Sequence, residues 1–514
     1  MYSSLDTLRR RAKTLKRAFA ANDADARARV AAILPDAETL RHAQALHVIA
    51  REEGQPSWPR LKFAHEMAAM DREKRAERLK FALYLGQGWI VETLLKDDPQ
   101  LATANFGLAC ALYRIDHVRA VLEADPTAAT RIVGIRSPIL HLAFSRYHRD
   151  APDKDGDGAA DGATDMIAVA EALAARGADV NDSYPSAPGS PHELSALYGA
   201  LGHAGNLPLA EWLLSHGANP DDNESLYHAT ELPHLDGVRL LLRHGVSTRG
   251  TNALARMLDF DNMEGATLLL EYGADPNEAV LEHPSGEPID TIPALHQAAR
   301  RRRDGRFAAL LLKHGADAEA IWEGHTAYAL ARIYGNASFA DALAEAGHSH
   351  ELSPSETVLA ACADGVAPEG RPLAALPLDD EERRILTRVI LWEDRLDHCK
   401  RLVAAGIDPQ VTEEMGMPPL HLAAWAGLTE QTAWLLTLDP DLDHLNDYGG
   451  DLVGTIVHGS ENRLDVDERD HLGCVRLAFD AGATVRRSDL DGAMGEEMSA
   501  FLAEWAEAHP DRVV

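Results

Sequence analysis

Asp153, Asp155 and Asp157 stand at alternate positions in HRDAPDKDGDGAADGATD (148–165), with Gly158 directly after them. Carboxylates at positions 1, 3 and 5 with glycine at 6 open a twelve-residue calcium loop, because a hard cation takes oxygen ligands around a sharp turn. Asp161 falls at position 9. Position 12, where a bidentate Glu is needed, is Thr164, and position 8 is Ala160 in place of an apolar anchor. The segment therefore reads as a flexible acidic insertion, and no metal is assigned to it. A second cluster, Arg300 to Arg303 with Arg306, is a basic island at the end of a helix. Cations there complement the helix macrodipole, and the other use for such an island is an acidic patch on a partner. The four cysteines (Cys110, Cys362, Cys399, Cys474) show no CxxC or CxxH spacing, which argues against disulfides and zinc and for a reducing compartment. No nucleophile elbow, Walker loop, helix-opening GxGxxG, HExxH or catalytic Cys–His spacing occurs. Carboxylates are so numerous that a chance pair says nothing about acid–base catalysis. The expectation is a protein without catalytic residues and without cofactors.

The elements that carry these residues recur. SLYHATELPHLDGVRLLLRHGVS (225–247) and ALARMLDFDNMEGATLLLEYGAD (253–275) align without a gap, and PPLHLAAWAGLTEQTAWLL (418–436) is a fuller copy. Each unit reads as a short apolar helix, a Gly break, a second helix and a Gly-Ala-Asp-like turn. Leu420, Ala423 and Ala424, then Trp434, Leu435 and Leu438, give each helix one apolar stripe. One such unit cannot bury its apolar face alone, so a fixed period of this size implies stacked repeats from about residue 79 to 485.

The recurring unit resembles the ankyrin repeat, TPLHxAAxxG followed by LL and xGADxN. In that motif the second Gly lies twelve residues after the first. Gly205 and Gly217, Gly335 and Gly347, and Gly86 and Asp98 keep the interval; Pro233 and Gly245, Asp261 and Gly273, Asp394 and Gly406, and Gly427 and Asp439 keep it with one slot changed. Eleven second-slot anchors follow: Asp98, Asp125, Gly177, Gly217, Gly245, Gly273, Gly315, Gly347, Gly406, Asp439 and Gly482. The resemblance implies an all-α, ankyrin-type helical solenoid of about eleven stacked helix-turn-helix repeats with an N-terminal helical cap. Short turns are expected between Gly245 and Asn252 in place of long hairpins. His141, His296 and His421 fall in the motif's His slot, where the family uses imidazole to hydrogen-bond between adjacent turns. Successive repeats hold these rings apart, so they do not read as metal ligands or bases.

Composition agrees with a solenoid. The 514 residues are 46% apolar but 6% aromatic, a core of Ala and Leu such as thin helix pairs require. The preamble, residues 1–80, carries 17 Lys or Arg against 11 Asp or Glu, so it is basic within a chain of net charge −31. The acidic remainder repels phosphate backbones and excludes nucleic-acid binding through the repeats. No segment has the apolar length of a membrane span or the h-region of a signal peptide, so the reading is a cytoplasmic monomer. High Arg and Ala usage looks like a GC-rich bacterial source. The organisation expected is a helical preamble or cap (1–80), a first repeat block (81–348), an irregular Pro/Gly connector (349–384), a second block (385–485) and a capping helix (486–514). In the second block GGDLVGTIVHGS lacks the Thr-Pro start of its bacterial relatives, which puts the helix start near Asp451 in doubt.

Two functions fit: a protein–protein interaction scaffold that uses its concave face, or an enzyme or toxin-related factor with activity in the N-terminal helices or the irregular C-terminal block. Only the irregularity supports the second. In the ankyrin family the residues after AA in the first helix, and those flanking the preceding Gly, face the concave side. Carried onto this chain they are Ile292, Arg300 and Arg301; His325, Ile333 and Tyr334; and Glu414, Met415, Met417 and Trp425, with Ala426 beside it. Trp425 and Tyr334 have a second reading, packing into neighbouring repeats.

Overall fold

The structure, a computed structural model, describes all residues except 1–3, 41, 150–159, 279–291, 463–468 and 493–495. Asp153, Asp155, Asp157 and Gly158 of the calcium-like sequence lie outside the described residues. Helix accounts for 60% of the chain. Among the described residues the sheet content is one two-stranded hairpin, Ser183–Pro185 with Glu193–Ser195. The fold is thus an all-α solenoid. No described helix is long and apolar enough to cross a membrane.

The chain divides into two compact units, one of Met70–Ala331 with Asn336–His350 and one of Met1–Ala69, Arg332–Gly335 and Glu351–Val514. In the first, repeats alternate a short inner helix with a second helix: Phe106–Ala111 with Ile115–Ala124, Ser225–Ala229 with Asp236–Arg243, Ala253–Asp259 with Met263–Glu271, Ala294–Arg300 with Gly305–Lys313. Their leucines and alanines are buried along one stripe, as at Leu240, Leu241, Ala266, Leu269, Ala298 and Leu311. Nine of the eleven second-slot anchors take positive φ, Asp439 at 53° among them. Asp98 and Asp125 depart, at φ −136° and −144°. Each precedes a proline, which drives the preceding residue out of the helical region, and each carboxylate caps the following 3-10 turn. Two of the three motif-slot histidines behave as the resemblance implies: Nε2 of His141 donates to the Val133 carbonyl at 2.9 Å and Nε2 of His296 to the Ala320 carbonyl at 3.1 Å, whereas among the described residues His421 has only the Thr455 hydroxyl, 3.5 Å from its Nδ1.

In the other unit, helices Leu5–Ala20, Ala24–Ala31, His42–Glu52 and Trp58–Ala68 close on a core of Leu8, Leu15, Val30, Ile49 and Leu61. The sequence reads as one charged helix from Pro59 to Lys80. The structure breaks it: Trp58–Ala68 ends, and Asp71 starts helix Arg72–Leu85 by accepting from the Lys74 N–H at 2.8 Å. Residues 1–69 share their unit with the C-terminal helix Glu496–Ala508, to which Lys16 pairs through Glu504 at 2.6 Å and Lys13 through Glu507.

The Pro/Gly stretch after Ser349 is more regular than its composition suggests. Ser353 and Glu356 form a capping box on helix Pro354–Ala363, and Asp379 and Glu382 form another on Asp380–Val389. The doubted start near Asp451 is also sound. Helix Leu452–Asn462 begins there, and the Asp451 carboxylate accepts from the Gly454 N–H at 2.8 Å, so Asp supplies the cap that Thr would have given.

Candidate interaction surface

In the unit Met70–Ala331 with Asn336–His350, the C-terminal ends of several inner helices carry aromatic rings that meet. Tyr84 ends helix Arg72–Leu85 and stacks on His203 at 4.1 Å. Phe144 follows helix Pro138–Ala143 and meets Tyr184 of the hairpin edge-on at 5.2 Å and Tyr198 at 5.9 Å. Tyr198 meets His228 at 5.0 Å, and Tyr227 lies across the same imidazole. Glycine makes this approach possible at two points. A Cβ on Gly199 would stand 2.5 Å from the Phe144 ring, and one on Gly202 would stand 2.7 Å from the ring of Tyr198. Phe144 and Tyr184 are buried, whereas Tyr84, Tyr198, His203, Tyr227 and His228 keep part of their surface in solvent. The result is a strip of half-covered rings.

Arg136 is set into one end of the strip. Its guanidinium lies 4.7 Å from Tyr84, 4.6 Å from Phe144 and 4.4 Å from Tyr184, and donates to the Tyr184 hydroxyl. Charge lines the other end. Glu224, 2% exposed, lies between His192 at 2.8 Å and His228 at 2.9 Å. His228 also meets Glu231, which accepts from Arg256 at 2.7 Å. Burial works against charge on His228, but the two carboxylates outweigh it and push the imidazole up to about 9. Asp259 continues the row to Arg301 at 2.8 Å.

The residues named from the motif are placed unevenly. Arg301, Glu414 and Met415 are exposed; Arg301 holds Asp259, and Glu414 accepts from Arg384 and Arg388. Trp425 is half-buried, its Nε1 3.4 Å from His458 and its carbonyl accepting from His471. Ile292, Arg300, His325, Ile333, Tyr334 and Met417 are buried and are corrected to packing residues. The physical reason is plain in three of them. Tyr334 donates to Glu381 and meets Trp392 edge-on, Arg300 lies over the Trp322 ring at 5.0 Å, and His325 forms a backbone bridge with Trp322. The basic island is largely neutralised at home, by Arg301 on Asp259, Arg303 on Asp261 and Arg306 on Asp304, while Arg303 also donates to the Arg301 carbonyl at the helix end. The four thiols are buried, which pushes Cys399 up to about 12 and Cys474 up to about 11, far from a nucleophile's range.

A groove of about 430 Å³ lies between the first two helices of the other unit, lined by Arg10, Arg11, Arg29, Asp23 and Asp25 among others. Arg11 and Arg29 are already held by Glu52 and Glu53, so it offers an anion little.

The repeat assignment is decided over residues 196–280, which match the family model for ankyrin repeats in three copies. The chain contains ankyrin repeats there. No curated protein matches it. Among solved structures, the human ASB11 ankyrin repeat domain matches at 17% identity, covering 48% of this chain and 96% of that one, with a TM-score of 0.23. At that score the likeness adds nothing to the fold argument. The ankyrin register also marks two of the rings in the strip. The slot two residues before the first Gly, which yields Ile333 and Trp425, holds Tyr84 and His203 in earlier repeats. Phe144, Tyr184 and Tyr198 have no such signal, because they come together only through the convergence of helix ends.

Proposed function

We propose that this ankyrin-repeat protein is a non-catalytic scaffold that holds a protein partner against the aromatic strip formed by Tyr84, Tyr198, His203, Tyr227 and His228. Ankyrin repeats are generally protein–protein interaction modules. The observation that carries the reading is the gathering of half-exposed rings at inner-helix ends in a chain only 6% aromatic. Rigid amphipathic rings give large contact area at low conformational cost, which is why they dominate binding hot spots. Four buried free thiols support a reducing, cytoplasmic setting, and a monomer is the simplest state. The test is Tyr84→Ala combined with Tyr198→Ala in a pull-down from native cytoplasm. Capture of the wild type's partner should fall at least about tenfold with circular dichroism unchanged. Undiminished capture by a folded double variant would remove the strip from the interface.

A further inference from the structure

Helix Arg72–Leu85 and the finger loop 131–136 form one surface, and its chemistry points to a class of partner. The finger is pinned to the helix from two sides. Arg136 rests on Tyr84, and Lys80 Nζ lies 3.5 Å from where a Cβ on Gly134 would stand. The finger's own base is fixed by the Val133–Arg136 bridge and by the His141 ring on the Val133 carbonyl. Four large apolar side chains nevertheless face solvent there: Phe81 at 57%, Leu85 at 40%, Ile132 at 66% and Ile135 at 71% exposed. Phe81 and Leu85 are one helical turn apart. Such a concentration of exposed apolar surface with a charged rim is what interaction sites present.

The rim carries three cations, Lys80, Arg131 and Arg136, against two carboxylates, Glu77 and Asp125, in a segment less acidic than the chain. Residues 71–149 contain 12 Lys or Arg against 9 Asp or Glu, within a chain of net charge −31. Lys80 pairs with Glu77 and Arg131 with Asp125. Arg136 rests on rings and a tyrosine hydroxyl, and among the described residues its Nε has no acceptor and its guanidinium no carboxylate. A cation short of anionic partners beside an apolar patch is complementary to a segment carrying both carboxylates and apolar side chains.

We propose that this surface docks an acidic, apolar-bearing peptide segment of a partner protein, its apolar side chains on Phe81, Leu85, Ile132 and Ile135 and a carboxylate toward the cation of Arg136. The inference rests on the binding function proposed above and names the partner's chemistry. The probe is a short fluorescein-labelled peptide alternating Glu with Leu, titrated by anisotropy against the full-length protein at low salt. A second peptide has Lys in place of each Glu. The Glu peptide should bind at least about tenfold tighter than the Lys peptide, and weaken as salt rises. Ile132→Ser with Ile135→Ser, both solvent-facing, should abolish binding without changing circular dichroism, and Phe81→Ser on the separate helix should weaken it severalfold. Equal binding of both peptides, or full binding by the folded double variant, overturns the proposal. So does a wild-type dimer that the double variant dissolves, since the occupant would then be a second copy. If these fail while Tyr84→Ala with Tyr198→Ala still loses capture, the scaffold reading stands and only the partner's chemistry falls.

Discussion

His141, His296 and His421 are buried in separate repeats, and burial pushes each imidazole down to about 4. A depressed pKa gives stability that is complete above the unfolded value near 6.5 and is lost as pH falls through the folded one. The protein should therefore lose melting temperature progressively from pH 6.5 to 4, each ring costing on the order of 3 kcal/mol at the end of that window. His296→Gln keeps a donor for the Ala320 carbonyl and should flatten the acid limb of a thermal-melt series. An unchanged slope would deny the ring its part. His228 has the opposite sign. Raised to about 9 by Glu224 and Glu231, it stabilises fully below pH 6.5 and loses that contribution as pH rises through 9. His228→Asn should remove about 2 kcal/mol at pH 6.5, allowing for the ring's partial exposure, and almost nothing at pH 10. The three neutral rings were legible because a motif slot names them. His228 was legible only as spacing, Glu224 four residues before and Glu231 three after. That Glu224 is buried, and that His192 from the loop between the two strands reaches it at 2.8 Å, has no signal in the spacing.

Helix starts were readable wherever a side chain supplies the cap, and misread where composition distracted from it. Ser353 with Glu356 and Asp379 with Glu382 stand in the S/T/D-x-x-E pattern of a capping box. Both lie in a stretch whose Pro and Gly suggest irregularity, yet Pro354 occupies a first helical turn, where its missing N–H costs nothing. At Asp451 the absent Thr-Pro drew the doubt, although Asp caps as well as Thr. The consequence is testable. Asp451 also holds Arg486 at 2.9 Å. Asp451→Ala should destabilise by about 1 kcal/mol or somewhat more, while Asp451→Asn, which keeps the cap and loses only the ion pair, should cost less. Equal losses in urea denaturation would assign the effect to Arg486 and not to the helix start.

A repeat period fixes neighbours in sequence and is silent about distant partners. It therefore gives the stacking of inner and outer helices but not the meeting of residues 1–69 with the chain's C-terminal helix, contacts that span 488 residues between Lys16 and Glu504. A basic preamble and a helix rich in Glu hint at attraction, but charge alone does not choose a site. Within this unit the two ion pairs are exposed and each is worth little, about 0–1 kcal/mol. Helix His42–Glu52 also packs against Glu496–Ala508, and apolar surface buried there adds to the attachment. The C-terminal helix has its own anchor as well, Trp505 stacked on Phe479 at 3.6 Å. Deleting residues 1–69 should therefore speed amide exchange in Glu496–Ala508 without melting it, while Asp380–Val389 in the same unit keeps its protection. Lys16→Glu alone should barely change either rate. Protection of Glu496–Ala508 that survives the deletion intact would show that Phe479 and Trp505 suffice, and that the preamble covers that helix without stabilising it.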